Sequence, residues 1–402
     1  MLWTKAFFPT LKEEPREAET PSHRLLLRAG YIRMLMSGVY IYLPLGLRSI
    51  NKIAEIIREE MNKIGAQELL MPAINPIEIW DATGRNEAMG DEMFRVKDRK
   101  GRVLCLAPTH EEIIAFIASR EIRSYRELPQ VWYQIQTKFR DEPRPRSGIL
   151  RVREFFMKDS YTLAANKEQL DKSYEDHAVA YRRIFTRCGL KFLEARASSG
   201  VMGGTESAEF MVPALCGEDI VIHCSKCNIS SNAQVAMSIP QQFDNTPMKE
   251  ELVYTPGAKT IDEVSTFLGL PPQKLVKSLL YMSERYGAVM FLVRGDYELS
   301  LDKAMQIVGA IRPCEPEEVL RLTGAQIGYI GPFGLKGVKF FADNSVGMDY
   351  IFATGANKDE YHITGKKLSE LDDVTIVDIH MPKEGDFCPN CGEKLTIIPA
   401  IE

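Results

Sequence analysis

An α/β (α+β) fold spread over more than one domain is predicted by three observations. A helical-period apolar run leads into a short strand, a strand pair closes through a loop rich in proline, and strands alternate with helices through the second half. The chain of 402 residues is long enough for two or three domains. An apolar fraction of 45% with 26% charged residues places it among globular proteins rather than disordered or fibrous ones. A net charge of −5 gives no global basic field, so a polyanion would have to be met locally. The N-terminus lacks the pattern of a signal peptide, and the apolar stretch from Met34 to Leu47 is too short, and too broken by Gly38, Pro44 and Gly46, to span a membrane. A cytoplasmic protein is expected.

Leu47, Ile50, Ile53, Ala54, Ile57, Met61 and Ile64 repeat at helical spacing and predict a helix over 47–64, stopped by Gly65. A short strand is expected from Glu68 to Met71, ending at Pro72. Thr109 and Glu112 have the spacing of a capping box for the next helix, which leaves Glu111 unused by the cap. A hairpin follows, with a strand ending near Arg140, a loop holding Pro143, Pro145 and Gly148, and a second strand from about Leu150. Period-two alternation puts Gln134, Gln136, Lys138 and Arg140 on one face and Tyr133, Ile135, Thr137 and Phe139 on the other. The same alternation puts Arg151, Arg153, Phe155 and Asp159 together.

Two or three guanidinium groups and one ring on such a platform suit a nucleoside triphosphate, because Arg forks take phosphate oxygens and the ring can stack on a base. A solvated basic hairpin is the plain alternative. Between Lys138 and Lys158 stand Lys138, Arg140, Arg144, Arg146, Arg151, Arg153 and Lys158 against Asp141, Glu142 and Glu154, an excess of four positive charges. Polyphosphate or the end of an RNA is expected there.

From about Ala233 prolines punctuate short segments. Strands at 278–282 and 288–293 with helices at 302–308 and 316–322 predict a compact mixed α/β unit reaching about Pro382. Eight cysteines are too few for a disulfide scaffold in a chain of this size, but Cys224-x-x-Cys227 and Cys388-x-x-Cys391 form two knuckle-like pairs. They could hold a zinc ion if the intervening residues return to their starting point; four reduced, unliganded thiols are the alternative.

The order Phe139-Arg140-x-Glu142, loop, Arg151-x-x-x-Phe155-x-x-x-Asp159 resembles motif 2 of the class II aminoacyl-tRNA synthetases. The loop and the following EFFMKDSY resemble the bacterial prolyl-tRNA synthetase family in particular. The resemblance implies a class II antiparallel-sheet core that uses ATP and Mg2+, with Arg140, Glu142, Arg151, Phe155 and Asp159 as the ATP site. Arg140 would hold the α-phosphate, Glu142 would meet the adenine amino group, Arg151 would meet the γ-phosphate, and Phe155 would stack on adenine. Arg140 and Arg151 would be the catalytic pair. The helix, strand and Pro72 resemble motif 1, which implies a homodimer interface. Thr109-x-Glu111 resembles the Thr-x-Glu loop, which implies that these two residues receive the amino group of proline, with Arg140 beside them. The segment from His23 to Gly46 resembles the family's opening, and core packing is its plain reading.

TPGAKTIDEV, LVKSLLY, GYIGPFG and GANKDEYHITG resemble the family's editing insertion, which clears alanine from tRNA(Pro). His362 and Lys277 are carried over as pocket residues, with Lys274 as the competing lysine. The implied domains are a catalytic core over 1–235, the editing domain over 236–382 and a return to the core over 383–402. Where the family continues toward motif 3 and an anticodon-binding domain, this chain ends at Ala400-Ile401-Glu402. It is therefore read as an incomplete core, for which negligible ATP–pyrophosphate exchange is expected. The competing readings are a stand-alone editing hydrolase, a non-catalytic paralogue, and a class II synthetase for another amino acid.

Overall fold

The structure is a computed structural model and describes residues 2–198 and 207–402. The chain divides into two compact units, Met1–Lys191 and Phe192–Glu402.

In the first unit the helix Pro44–Lys63 begins three residues earlier than expected, because Pro44 sits in its first turn, where a missing N–H costs nothing. Gly65, at φ +79°, follows its end. The hairpin consists of Gln130–Phe139 paired antiparallel with Glu154–Leu163. The expected strand from Leu150 is thus corrected: the ladder starts at Glu154, and residues 147–150 form a turn behind a single bridge between Arg146 and Arg151. The short strand shrinks to Gln67–Glu68, parallel to Trp132 and Tyr133. Beyond it the Gln134 amide oxygen replaces a ladder partner by accepting from the Met71 N–H at 3.0 Å.

The two faces of the hairpin separate as the alternation predicts. Tyr133 packs with Met61, Ala66 and Ala180, with Val131, Ile135, Ile57 and Ile64 around them. The apolar face is therefore covered by Pro44–Lys63 and the helix Lys167–Arg187. Buried Glu60 ties these helices together by accepting from Arg187 at 2.7 Å, and it also accepts from Lys63 of its own helix at 2.7 Å. The opposite face of the hairpin is left to polar and charged groups.

In the second unit a small closed barrel is formed by Leu193–Ala197, Ser207–Pro213, Asp219–Cys224, Ile229–Asn232 and Thr396–Ile401. The last of these lies between Ser207–Pro213 and Asp219–Cys224, so a strand from far along the chain completes a sheet begun at Leu193. Between them lies a five-stranded sheet in the order Ile311–Pro313, Val276–Ser283, Gly287–Arg294, Lys339–Asp343 and Val374–Val377. Gly287–Arg294 is buried on both faces, with Met290 and Leu292 in one apolar cluster and Val289, Phe291 and Val293 in the other, as its unbroken apolar run requires. A three-stranded sheet of Glu251–Tyr254, Tyr361–Lys366 and Phe352–Gly355 stands beside it. The unit's helices Leu301–Val308 and Pro316–Thr323 lie within a residue of expectation at each end. The chain runs into and out of this body side by side, Ile239 and Phe387 exchanging backbone hydrogen bonds at 2.8 and 2.9 Å.

Among the described residues no helix is long and apolar enough to cross a membrane.

Candidate functional site

The polar face of the hairpin carries a graded set of groups. Lys138 is fully buried and pairs with Asp159 at 2.8 Å. Asp159 also accepts from Gln134 across the ladder at 3.0 Å and from the Tyr161 hydroxyl at 2.6 Å. That hydroxyl in turn accepts from the backbone N–H of His110 at 3.0 Å. Asp159 is thus 8% exposed and committed to a buried network beneath the loop that holds Thr109. Burial dominates over the nearby carboxylate at His110 and holds its imidazole below the usual range.

Arg140 follows the last residue of the first strand, and its backbone N–H donates to the carbonyl of Arg153 at 3.0 Å. Its guanidinium carbon lies 5.5 Å from the centroid of the Phe155 ring, and its buried Nε has no hydrogen-bond partner. Glu142 accepts from Arg151 at 2.8 Å, which holds its carboxyl below the ordinary carboxylate range. Arg153 bonds the Glu142 carbonyl at 3.0 Å and lies 3.5 Å from Asp141. Arg140, Phe155, Glu142 and Arg151 therefore gather at the open end of the hairpin, while Asp159 lies deeper.

The loop holding Thr109 reaches this end through one bond, from the Phe139 N–H to the Ala107 carbonyl at 3.3 Å. The capping box expected of Thr109 and Glu112 does not form: the helix is Glu111–Glu121, His110 occupies the cap, and no side chain caps it. Thr109 instead donates to the Glu111 carboxylate, at 2.7 and 2.8 Å to its two oxygens. Glu112 turns into the unit toward Arg85 at 3.0 Å and Thr83 at 3.2 Å. The residue left over by the cap and the hydroxyl expected to serve it have thus paired with each other.

In the second unit a cavity of about 170 Å³ opens between the two sheets, bordered by Lys277, Ser278, Gly328, Thr354, Gly355 and His362 among others. Beside it two segments approach backbone to backbone: a Cβ on Gly331 would lie 1.9 Å from the Gly355 carbonyl oxygen and one on Gly355 2.2 Å from the Ile330 carbonyl oxygen, so both positions need glycine. His362 is 4% exposed, with Nδ1 2.7 Å from the Thr255 hydroxyl, and burial keeps its imidazole below the usual range. The ammonium of Lys277 is held at 2.7 Å by the Tyr297 carbonyl and at 2.5 Å by Glu298. That of Lys274 bonds the Thr246 carbonyl at 3.2 Å, and Lys274 is not among the cavity's lining residues. The cavity thus favours Lys277 over its competitor only by backbone position, since the side chain is engaged elsewhere.

The sulfurs of Cys224, Cys227, Cys388 and Cys391 lie within 4.8 Å of one another, with Cys224 to Cys391 at 3.6 Å and Cys227 to Cys388 at 4.0 Å. A tetrahedral zinc ion with bonds of about 2.3 Å requires sulfurs about 3.8 Å apart, which these spacings match. The Cys227 backbone N–H lowers the Cys224 thiol to about 7, while the neighbouring sulfurs push the Cys227 thiol up to about 12.

Two family models match the chain, the tRNA synthetase class II core domain (G, H, P, S and T) over residues 94–271 and the aminoacyl-tRNA editing domain over residues 255–371. A proline–tRNA ligase of Thermodesulfovibrio yellowstonii is 48% identical over 402 residues, covering all of this chain and 70% of that protein. The chain belongs to the proline–tRNA ligase family. Proline–tRNA ligases of Anaeromyxobacter sp. (strain Fw109-5) and Acidobacterium capsulatum are 47% and 46% identical, over 71% and 72% of their lengths. The chain thus has the class II synthetase core and the editing domain of a proline–tRNA ligase, an enzyme that forms aminoacyl-tRNA, and spans about 70% of the length of these relatives.

Several residues around these candidate sites were given no role by the sequence reading. Arg85 and Tyr161 are brought to the loop holding Thr109 only by the fold, and Lys138, placed on the polar face by the alternation, had no partner assigned. Thr255, Ser278 and Thr354 are ordinary strand or loop residues by sequence. Asn357 stood inside a quoted motif but was assigned nothing; its amide donates at 2.9 Å to the carbonyls of Gly331 and Phe333 and accepts from the Gly331 N–H at 2.8 Å. The available signal was the residue type after Gly355-Ala356, since Asn tolerates the positive φ of 54° that it adopts here.

Proposed function

We propose that the hairpin and the loop before it form one wall of a site that activates proline with ATP, and that the cavity of the second unit hydrolyses alanyl-tRNA(Pro). In activation a proline carboxylate oxygen bonds to the α-phosphorus as its bond to the pyrophosphate oxygen breaks. No general base is needed, because the nucleophile is already an anion. Catalysis is positioning plus stabilisation of charge. Phe155 stacks on adenine, Glu142 accepts from its amino group, Arg151 meets the γ-phosphate, and Arg140 holds the α-phosphate and the adenylate. Thr109 and Glu111 take the proline ammonium, and Asp159 supports the platform from below. Mg2+ would neutralise phosphate charge when bound with the nucleotide. Transfer to the terminal ribose of tRNA(Pro) follows.

The observation that carries this reading is the Arg140 guanidinium, set against Phe155 with a buried Nε that nothing in the protein satisfies. Such a donor is costly unless a ligand completes it. In the enzyme that carries this chain, Arg140→Ala should lower proline-dependent ATP–pyrophosphate exchange by about 10²-fold or more. Exchange at the unsubstituted rate would refute the assignment.

In editing, water adds to the ester carbonyl and the ribose oxygen leaves. The 170 Å³ cavity with His362 and the strand bearing Lys277 orient the ester. The domain limits that suit this division are 1–235 and 383–402 for the core and 236–382 for the editing insertion, which agrees with the paired backbone at Ile239 and Phe387. The four cysteines would hold a structural zinc ion that ties strand Asp219–Cys224 to the returning chain end. Leu47 and Ile53, exposed on the helix Pro44–Lys63, are the motif 1 surface proposed to face a second copy in a homodimer. The setting is the cytoplasm, where charged tRNA is used.

A further inference from the structure

We infer that Arg85 is a positioning residue for amino-acid recognition, setting both the orientation and the net charge of the Glu111 carboxylate. The inference rests on the reading of Thr109 and Glu111 as the receiver of the substrate ammonium.

Gly84, at φ +72°, turns the chain so that Arg85 opens the short helix Arg85–Ala88. The Arg85 side chain is 18% exposed, and its guanidinium carbon lies 5.3 Å from the ring centroid of fully buried Trp80. From there one nitrogen, Nη1, reaches two carboxylates: Glu111 at 2.9 Å and Glu112 at 3.0 Å. The two acids differ in setting. The Glu112 side chain is 2% exposed and also accepts from Thr83, while the Glu111 side chain is 40% exposed and also accepts from Thr109.

Two consequences follow from this arrangement. The Glu111 carboxylate is gripped by Thr109 and by Arg85, which fixes its plane. Of its roughly four lone-pair positions about two remain for a ligand, enough for the two N–H groups of a secondary ammonium. The second consequence is charge. Glu111 and Glu112 alone would place two negative charges on adjacent residues, one of them buried. Arg85 reduces the sum to one, which a single ammonium neutralises. Lys138 and Asp159, the other charged pair beneath the loop, cancel each other. The part played by Arg85 is therefore to hold Glu111, not to touch the reacting atoms.

The test is steady-state ATP–pyrophosphate exchange in the enzyme that carries this chain, with proline and ATP varied separately. Arg85→Ala alone would strand buried Glu112, so the informative variant is the double substitution Arg85→Ala with Glu112→Gln, which removes both charges together. It should melt near the unsubstituted protein and raise KM for proline about tenfold, leaving kcat and KM for ATP within twofold. Arg85→Lys, which keeps the charge without the planar fork, should move KM for proline in the same direction by about threefold. Unchanged KM for proline in both variants, while Glu111→Gln raises it, overturns the role of Arg85 and leaves the ammonium site standing. An unchanged KM in Glu111→Gln overturns the ammonium site and this inference with it.

Discussion

Asn357 fastens a loop beside the cavity of the second unit with one side-chain amide. Its three hydrogen bonds reach Gly331 and Phe333, in the loop that packs backbone to backbone against Gly355. Asn357→Ala removes them at once and leaves backbone groups of that loop without partners, a cost of about 3 kcal/mol at roughly 1 kcal/mol each. Urea unfolding of the second unit should report that loss, and deacylation of alanyl-tRNA(Pro) should fall with it; a variant as stable as the parent would show that the loop holds itself. Thr109 teaches the opposite lesson about local signals. Its spacing to Glu112 satisfies the capping-box pattern, yet its hydroxyl takes Glu111, because Arg85 and Thr83 draw Glu112 away from the helix start. Thr109→Val should therefore leave the helix Glu111–Glu121 intact and weaken proline binding. A large loss of thermal stability with unchanged KM for proline would contradict this.

The hairpin shows how an element is held by what lies next to it. Its loop rests on the turn between strands Ile32–Met36 and Val39–Tyr42 and on the segment before them: the Gly38 carbonyl accepts from the Arg153 N–H at 2.8 Å, and Glu19 accepts from the Ser147 N–H at 2.7 Å. A Cβ on Gly38 would stand 2.8 Å from the Pro145 ring, at a φ of +77° that resists any side chain. Gly38→Val should loosen the arginine-bearing loop and lower ATP affinity while sparing the cavity of the second unit; equal losses in both activities would point to general misfolding. The second cysteine pair lies at the element scale too: with a bound zinc ion it would fasten the chain end that carries Thr396–Ile401 to strand Asp219–Cys224. Elemental analysis should find about one zinc per chain, reduced in Cys388→Ser, and chelation should destabilise the barrel before the five-stranded sheet. Metal-free protein with unchanged unfolding would leave the thiols as the reduced, unliganded alternative.

Across the whole molecule, burial holds His23, His110, His177 and His362 neutral, each with its imidazole below the ordinary value of 6.5. The unfolded chain then binds more protons than the folded one once pH drops below about 6.5, so stability falls as pH falls through that point toward the lower folded values. Thermal unfolding between pH 7.5 and 5.5 should show this decline, smaller in His362→Gln for the second unit; a flat profile would be inconsistent with neutral buried imidazoles. The sequence was most legible where periodicity carries the signal. The helix over 47–64, the two faces of the hairpin and the strands and helices after Ser278 all lie near their expected places, because burial of one face repeats with the residue spacing of the element. It was less legible at edges, where Leu150 gave way to Glu154 once a bridge and turn took up the loop. What the sequence by itself determined was the family, through an ordered set of residue types around Arg140 and Phe155, and the pairing of cysteines that makes a metal site conceivable. Only the tertiary structure decided that Asp159 sinks into a buried pair with Lys138, that Glu111 stands between Thr109 and Arg85, and that four distant sulfurs converge. Those outcomes depend on contacts between groups far apart in the chain, where burial and the cancellation of charge outweigh local spacing.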